Sequence, residues 1–204
     1  MKRTALLAIA LITAMLILAS CNTNTPGAPS DADVAEVCAA LTERTAAEHS
    51  KVTLSTTVVA GGTSLLASYV VTGELVTYKT EALNLLPPEL GAAGTPADHK
   101  SVRSGTATVK DGTVTHLDGD EVTLPEYTEL RGAFTFDGRN MRDVNLSDTE
   151  LRASIISASV FLGGNVNATD MRLIAEYGSA DVLRITLEYT TDGVSVVTVY
   201  EFEA

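Results

Sequence analysis

The chain has 204 residues, 45% of them apolar and 20% charged, with 6 prolines, 15 glycines and no tryptophan. Those fractions describe a folding polypeptide and exclude a disordered or collagen-like one. Fourteen basic against 26 acidic residues give a net charge of −12, which leaves no electrostatic footprint for DNA or RNA and repels anionic lipid headgroups.

Residues 1–20 have the three parts of a secretory signal. Lys2 and Arg3 form a positive start, Thr4–Ala19 is an apolar run interrupted only by Thr4 and Thr13, and small residues precede Cys21. At ~1.5 Å per residue the run reaches about 24 Å, short of a ~30 Å hydrocarbon core. A cleaved leader is therefore expected, not a permanent transmembrane helix. Loss of the two leader charges takes the chain from −12 to −14.

The tetrad Leu18-Ala19-Ser20-Cys21 resembles the lipobox of bacterial lipoproteins. The resemblance covers residues 1–21 and implies cleavage after Ser20, a diacylglyceryl thioether on Cys21 and an acyl chain such as palmitate on the new amino terminus. Two or more buried chains suffice for stable anchoring. The implied location is extracytoplasmic, on the outer face of a cell membrane or on an outer membrane. Asn22 stands where many Gram-negative lipoproteins retained at the inner membrane carry Asp.

Residues 21–30 form the expected lipidated cysteine and tether. Asn22–Ser30, NTNTPGAPS, is polar, uncharged and turn-prone, and nine such residues reach at most about 30 Å. One domain, 31–204, follows. With Cys21 acylated, Cys38 has no disulfide partner; its acidic surroundings suit a small buried residue better than a reactive thiol.

Asp31–Glu48 is the one clear helix expected. Val34, Val37, Cys38 and Leu41 recur at helical spacing, and Ser30 with Asp33 resembles a capping pair. The period then drops to two. Val52, Leu54, Thr56 and Val58 alternate up to a Gly61-Gly62 turn; Leu65, Ala67, Tyr69 and Val71 follow in a strand expected to bulge at Gly73 and continue through Val76 and Tyr78. Residues 85–98 read as a loop. Val102–Lys110 and Thr113–Leu117 flank an Asp111-Gly112 turn, and Asp118-Gly119 reads as another.

Leu130–Phe136 reads as a strand closed by Asp137-Gly138, with Met141–Leu146 returning. Asp148–Leu162 fits either a helix or a strand. The β-branched Ile155-Ile156 pair and the surrounding strands favour strand. Alternating runs around Leu173, Ile185 and Tyr200 complete a meander, the last pair joined at Asp192-Gly193. The expected fold is mostly β (α+β): a curved antiparallel sheet of about 8–10 strands, a half-barrel or sandwich, with one N-terminal helix.

Chemistry-bearing motifs are sparse. His49, His99 and His116 share no metal-ligand spacing, and no nucleophile elbow or phosphate loop is present. Asp118, Asp120 and Glu121 around Gly119 offer oxygen ligands for Ca²⁺ without the EF-hand spacing, and read as a solvated turn. Asn145-Leu146-Ser147 and Asn167-Ala168-Thr169 match the glycosylation triplet, read as coincidence in a bacterial lipoprotein. No catalytic residue, cofactor or metal is expected. A hydrolase would need a cluster assembled in space.

The order of a helix followed by antiparallel strands behind a lipid tether resembles LolA/LppX-type lipoproteins, from Asp31 to the end of the chain. The resemblance implies a curved sheet enclosing apolar space and carriage of a lipid or other apolar molecule. Those proteins use several helices where one is clear here. Two partner classes follow beyond the membrane itself: an apolar ligand for a binding module, or an envelope protein for a structural or interaction lipoprotein.

Overall fold

The computed structural model describes residues 29–85, 98–163, 167–178 and 182–204. Helix α1, Asp31–Ala46, opens the domain. Ser30 caps it reciprocally: the Asp33 N–H donates to the Ser30 hydroxyl at 3.2 Å, and the Ser30 N–H to the Asp33 carboxylate at 3.3 Å. The helix ends two residues earlier than its pattern suggests, at an extended Ala47.

Ten strands follow: β1 Lys51–Ala60, β2 Thr63–Thr72, β3 Leu75–Leu85, β4 Asp98–Lys110, β5 Thr113–Gly119, β6 Met141–Leu146, β7 Glu150–Ile155, β8 Ala168–Tyr177, β9 Val182–Thr191 and β10 Val194–Glu203. They form one antiparallel sheet in the order β5-β4-β3-β2-β1-β10-β9-β8-β7-β6. Every neighbour is consecutive in sequence except β1 and β10, which meet in the middle. The sheet is open: β5 and β6 are its edges.

The register places one row of side chains across all ten strands: Gly119, Gly105, Tyr78, Tyr69, Leu54, Tyr200, Ile185, Ala175, Leu151 and Leu146. From β3 across to β7 that row is buried, while Gly119 on edge strand β5 is exposed, and Val109 of β4 and Met141 of β6 belong to the same core. Laid flat, ten strands at ~4.8 Å spacing would span about 43 Å, several times the ~10 Å width of the single long helix on this face. A common core therefore requires the sheet to curl around α1. The opposite face is solvated and carries cross-strand ion pairs such as Arg184 with Glu176 and Glu201.

Two more short helices lie in the concavity: α2, Tyr127–Arg131, and α3, Ala158–Leu162. A 3₁₀ turn, Gly138–Asn140, precedes β6. No helix among the described residues is long and apolar enough to cross a membrane.

Several expectations need correction. Gly73 does not bulge a continuing strand. With φ +58° it turns the chain, and Thr72 pairs with Leu75 in a separate hairpin. Asp118-Gly119 is no hairpin turn but the end of β5, beside a bulge at Thr106/Ala107.

Leu130–Phe136 is not a strand. Leu130 lies in the last turn of α2, Gly132 caps that helix in the left-handed region, and Phe134 and Phe136 bond to α1 instead of to a sheet neighbour. Asp148–Leu162 is both alternatives in succession, β7 and then α3, changing at exposed Ile156 and Ser157. Asp137-Gly138 closes no hairpin either, since Asp137 caps the 3₁₀ turn before β6, but the other two Asp-Gly hairpins form as read. Asp111 and Gly112 have φ +49° and +74°, and Asp192 and Gly193 +50° and +77°, the double positive φ of a type I′ turn. Of the 85–98 loop, residues 86–97 lie outside the described residues, and positions 85 and 98 end strands.

Candidate functional site

The concave face is largely packed. Val34, Cys38, Leu41 and Thr45 of α1 are buried against it. Phe134, Phe136, Phe161 and Tyr200 form an aromatic group beside the helix. Phe134 stacks on Phe161 at 5.4 Å between ring centroids, and Tyr200 meets Phe134 edge-on at 5.0 Å. Phe136 meets Phe161 edge-on at 5.5 Å. Offset and edge-on contacts of this kind add stability beyond area burial.

Next to this group a cleft of about 480 Å³ remains. Its floor is Leu187 and Tyr189 of β9 with Thr198 and Tyr200 of β10. One wall is Glu126, Thr128 and Glu129 with Gly132, Ala133 and Phe134. The other is Phe161, Leu162 and Gly163. The volume lies within the ~300–1,000 Å³ of small-molecule sites.

Local sequence explains the walls. Gly132 has φ +61°, so the chain turns sharply off α2; a Cβ there would lie 2.5 Å from the Tyr200 ring. Glycine thus permits both the turn and the close approach. Thr45 and Thr42 of α1 hold residues 134–136 in place through the Phe134 carbonyl and the Phe136 N–H. Asn140 pins the start of α3, donating to the Ser157 carbonyl at 2.9 Å and accepting from its N–H at 2.8 Å.

Among the described residues, the only charged ones lining the cleft are Glu126 and Glu129. None of the ion pairs among the described residues involves either carboxylate. Partial desolvation at the mouth and then the nearby Glu126 raise the Glu129 carboxyl above its usual range. Burial and then the Glu129 charge raise the Tyr200 and Tyr189 phenols. The arrangement offers aromatic faces, one aliphatic floor residue, hydroxyls and a negative mouth. Its chemistry is that of binding by stacking, burial and charge.

The residues singled out from the sequence lie elsewhere. Cys21 and the leader lie outside the described residues. Cys38 is a free buried cysteine with Sγ 4.0 Å from the Met141 sulfur, and burial, followed by Asp137, pushes its pKa up to about 11. His49 caps the end of α1, with Nε2 2.8 Å from the Arg44 carbonyl and its ring 4.9 Å from that of Phe202. His116 lies on edge strand β5, Nδ1 3.2 Å from the Tyr78 hydroxyl. The His99 side chain lies outside the described residues.

Asp118, Asp120 and Glu121 do not converge on a metal, and no group of three metal-ligating side chains occurs among the described residues. Asp120 instead ties the edge together: its N–H donates to the Ser104 carbonyl at 2.9 Å, and its carbonyl accepts from the Tyr78 hydroxyl.

The cleft residues Glu126, Glu129, Phe134 and Phe161 were not foreseen. A signal for the wall was present: Pro125 before Glu126, then Gly132 straight after Arg131, bracket a short helix. Nothing local marks the meeting of that helix with Phe161.

No known protein family and no curated protein matches the chain. Among solved structures it was matched to a variant of the GphF dehydratase, at 11% identity and TM-score 0.18, over 83% of this chain and 82% of that one. An isomerase-inactive variant of the same dehydratase domain matched at 10% identity and TM-score 0.19, over 86% and 82%.

Proposed function

We propose that the chain is a lipid-anchored extracytoplasmic protein of a bacterial envelope that holds a small, largely apolar molecule in the cleft between α2, α3 and the β9–β10 floor. The anchor rests on the lipobox at Leu18-Ala19-Ser20-Cys21 and the uncharged tether behind it. The observation that carries the binding role is the cleft itself: about 480 Å³ bounded by Phe134, Phe161, Leu187, Tyr189 and Tyr200. This volume suits a single small molecule or one short chain. The carrier role implied by LolA/LppX-type proteins is accordingly narrowed, because α1 and the aromatic group occupy the concavity.

Two masses test the proposal. Protein isolated from envelopes should begin at Cys21 and carry diacylglycerol there, and Cys21→Ser should abolish both. An unmodified cysteine overturns the anchor. Native mass spectrometry of the domain, released from the membrane by cleavage in the tether, should show a small-molecule adduct that disappears on solvent extraction. A bare mass from freshly isolated protein overturns the binding role.

The second reading, an interaction lipoprotein, is favoured by the solvated face. Val59, Leu66 and Val102 are exposed there on β1, β2 and β4, with Leu66 beside Thr57 of β1 and Glu81 of β3 lying between Leu66 and Val102. Co-purification of an envelope protein that is lost on Leu66→Asp would support it.

A further inference from the structure

Resting on the cleft as a binding site, we infer that its ligand is an organic cation with an apolar body, an amine or quaternary ammonium group carried on a hydrocarbon or aromatic frame. Two features of the cleft converge on that class. Four rings line or back it: Phe134, Phe161, Tyr189 and Tyr200. An aromatic face attracts a cation within about 6 Å of its centroid, more strongly where water is excluded. At the same mouth stand Glu126 and Glu129, and no basic residue among the described residues lines the cleft. Arg131, next along α2, makes no ion pair with either carboxylate among the described residues.

The alternatives fit less well. An anion meets two carboxylates and no donor cation. A neutral apolar body seated against Glu129 strips water from a carboxylate and returns nothing, which is costly. A cation restores the lost hydration and relieves the repulsion between the two glutamates. Desolvation first, and the neighbouring negative charge second, raise the Glu129 carboxyl and the Tyr189 and Tyr200 phenols beside it.

The test is equilibrium dialysis of the full chain in phosphatidylcholine nanodiscs, with empty nanodiscs as the blank. Three probes of matched size are compared: benzyltrimethylammonium, its uncharged isostere neopentylbenzene, and phenylacetate. The cation should bind about tenfold more tightly than the isostere, and phenylacetate should not bind. Glu129→Gln, at an exposed position, should erase the preference. Tyr189→Leu, which keeps bulk and removes the ring, should weaken the cation several-fold more than the isostere. Equal binding of cation and isostere, or a preference that survives Glu129→Gln, overturns the cation inference and leaves the cleft as an apolar site. Binding of none of the three overturns both.

Discussion

The Thr45 hydroxyl of α1 lies 3.2 Å from the carbonyl oxygen of Phe134, 89 residues further along the chain. One turn earlier the Thr42 hydroxyl accepts the Phe136 N–H at 2.9 Å and donates to the Cys38 carbonyl at 2.8 Å. Two threonines on one helix face thus supply the backbone partners that a neighbouring strand would otherwise give to residues 134–136. They also place the Phe134 ring in the cleft wall. Thr42→Val keeps the shape and leaves the Phe136 N–H unpaired. It should cost about 2 kcal/mol and lower Tm by about 4–8 °C. Thermal unfolding followed by circular dichroism checks this; an unchanged Tm would mean that the segment does not depend on the helix.

Gly132 and Gly193 separate backbone strain from contact. Both have positive φ, +61° and +77°, but a Cβ at 132 would meet the Tyr200 ring at 2.5 Å and one at 193 meets nothing within 4 Å. Gly193→Ala should cost about 1–2 kcal/mol, the strain of a left-handed residue alone. Gly132→Ala should cost about 1–3 kcal/mol more, because buried Tyr200 has no room to yield. Urea denaturation of both variants measures the difference, and equal losses would contradict the tight approach of α2 to β10.

What was legible in the chain follows from where each segment finds its partners. Strands β1, β9 and β10 read correctly because alternation and tight-turn residues are local signals, whereas the pairing of β1 with β10 joins residues far apart in the chain and leaves no local mark. The Leu130–Phe136 segment misled because Leu130, Phe134 and Phe136 are all buried, as in a strand, yet Leu130 bonds to Glu126 within α2 while Phe134 and Phe136 bond to helix α1. The 148–162 stretch was ambiguous because it holds two elements, each shorter than the window a periodicity needs. The cleft was invisible for a further reason. Its walls come from residues 126–134 and 161–163 and its floor from 187–200, and only the sheet's closing pair, β1 with β10, sets them face to face.

The edge formed by β4 and β5 depends on one tyrosine. The buried Tyr78 hydroxyl donates to the Asp120 carbonyl and lies 3.2 Å from His116 Nδ1. Its ring occupies the space that the side chain of any residue other than glycine at 105 would need. Because β5 pairs only with β4 and buries none of its own residues, it has little support beyond that pairing. Tyr78→Phe should cost about 1 kcal/mol and raise amide exchange selectively over residues 113–119. Exchange that rises equally in β1 and β10 would show that the edge opens only with the whole sheet.

Cys38 supplies a chemical readout of both core and anchor. The thiol is buried beside Met141, and its pKa of about 11 reflects burial first and the charge of Asp137 second. At pH 8 it should stay protonated and resist Ellman's reagent in native protein. After unfolding, protein isolated from envelopes should expose one thiol per chain, because a thioether at Cys21 does not react; a count of two would contradict lipidation. The sign of the pH effect follows from linkage. The folded state holds the proton to higher pH than the unfolded chain, whose thiol titrates near 8.5–9. The Cys38 contribution is therefore complete below about pH 8.5 and is lost as pH rises toward 11. Cys38→Ala should be less stable than the parent at pH 7, with the gap narrowing from pH 9 upward. Buried tyrosines titrate in both proteins and cancel in that difference. A gap that stays constant to pH 10.5 would mean that the thiol is not desolvated in the fold.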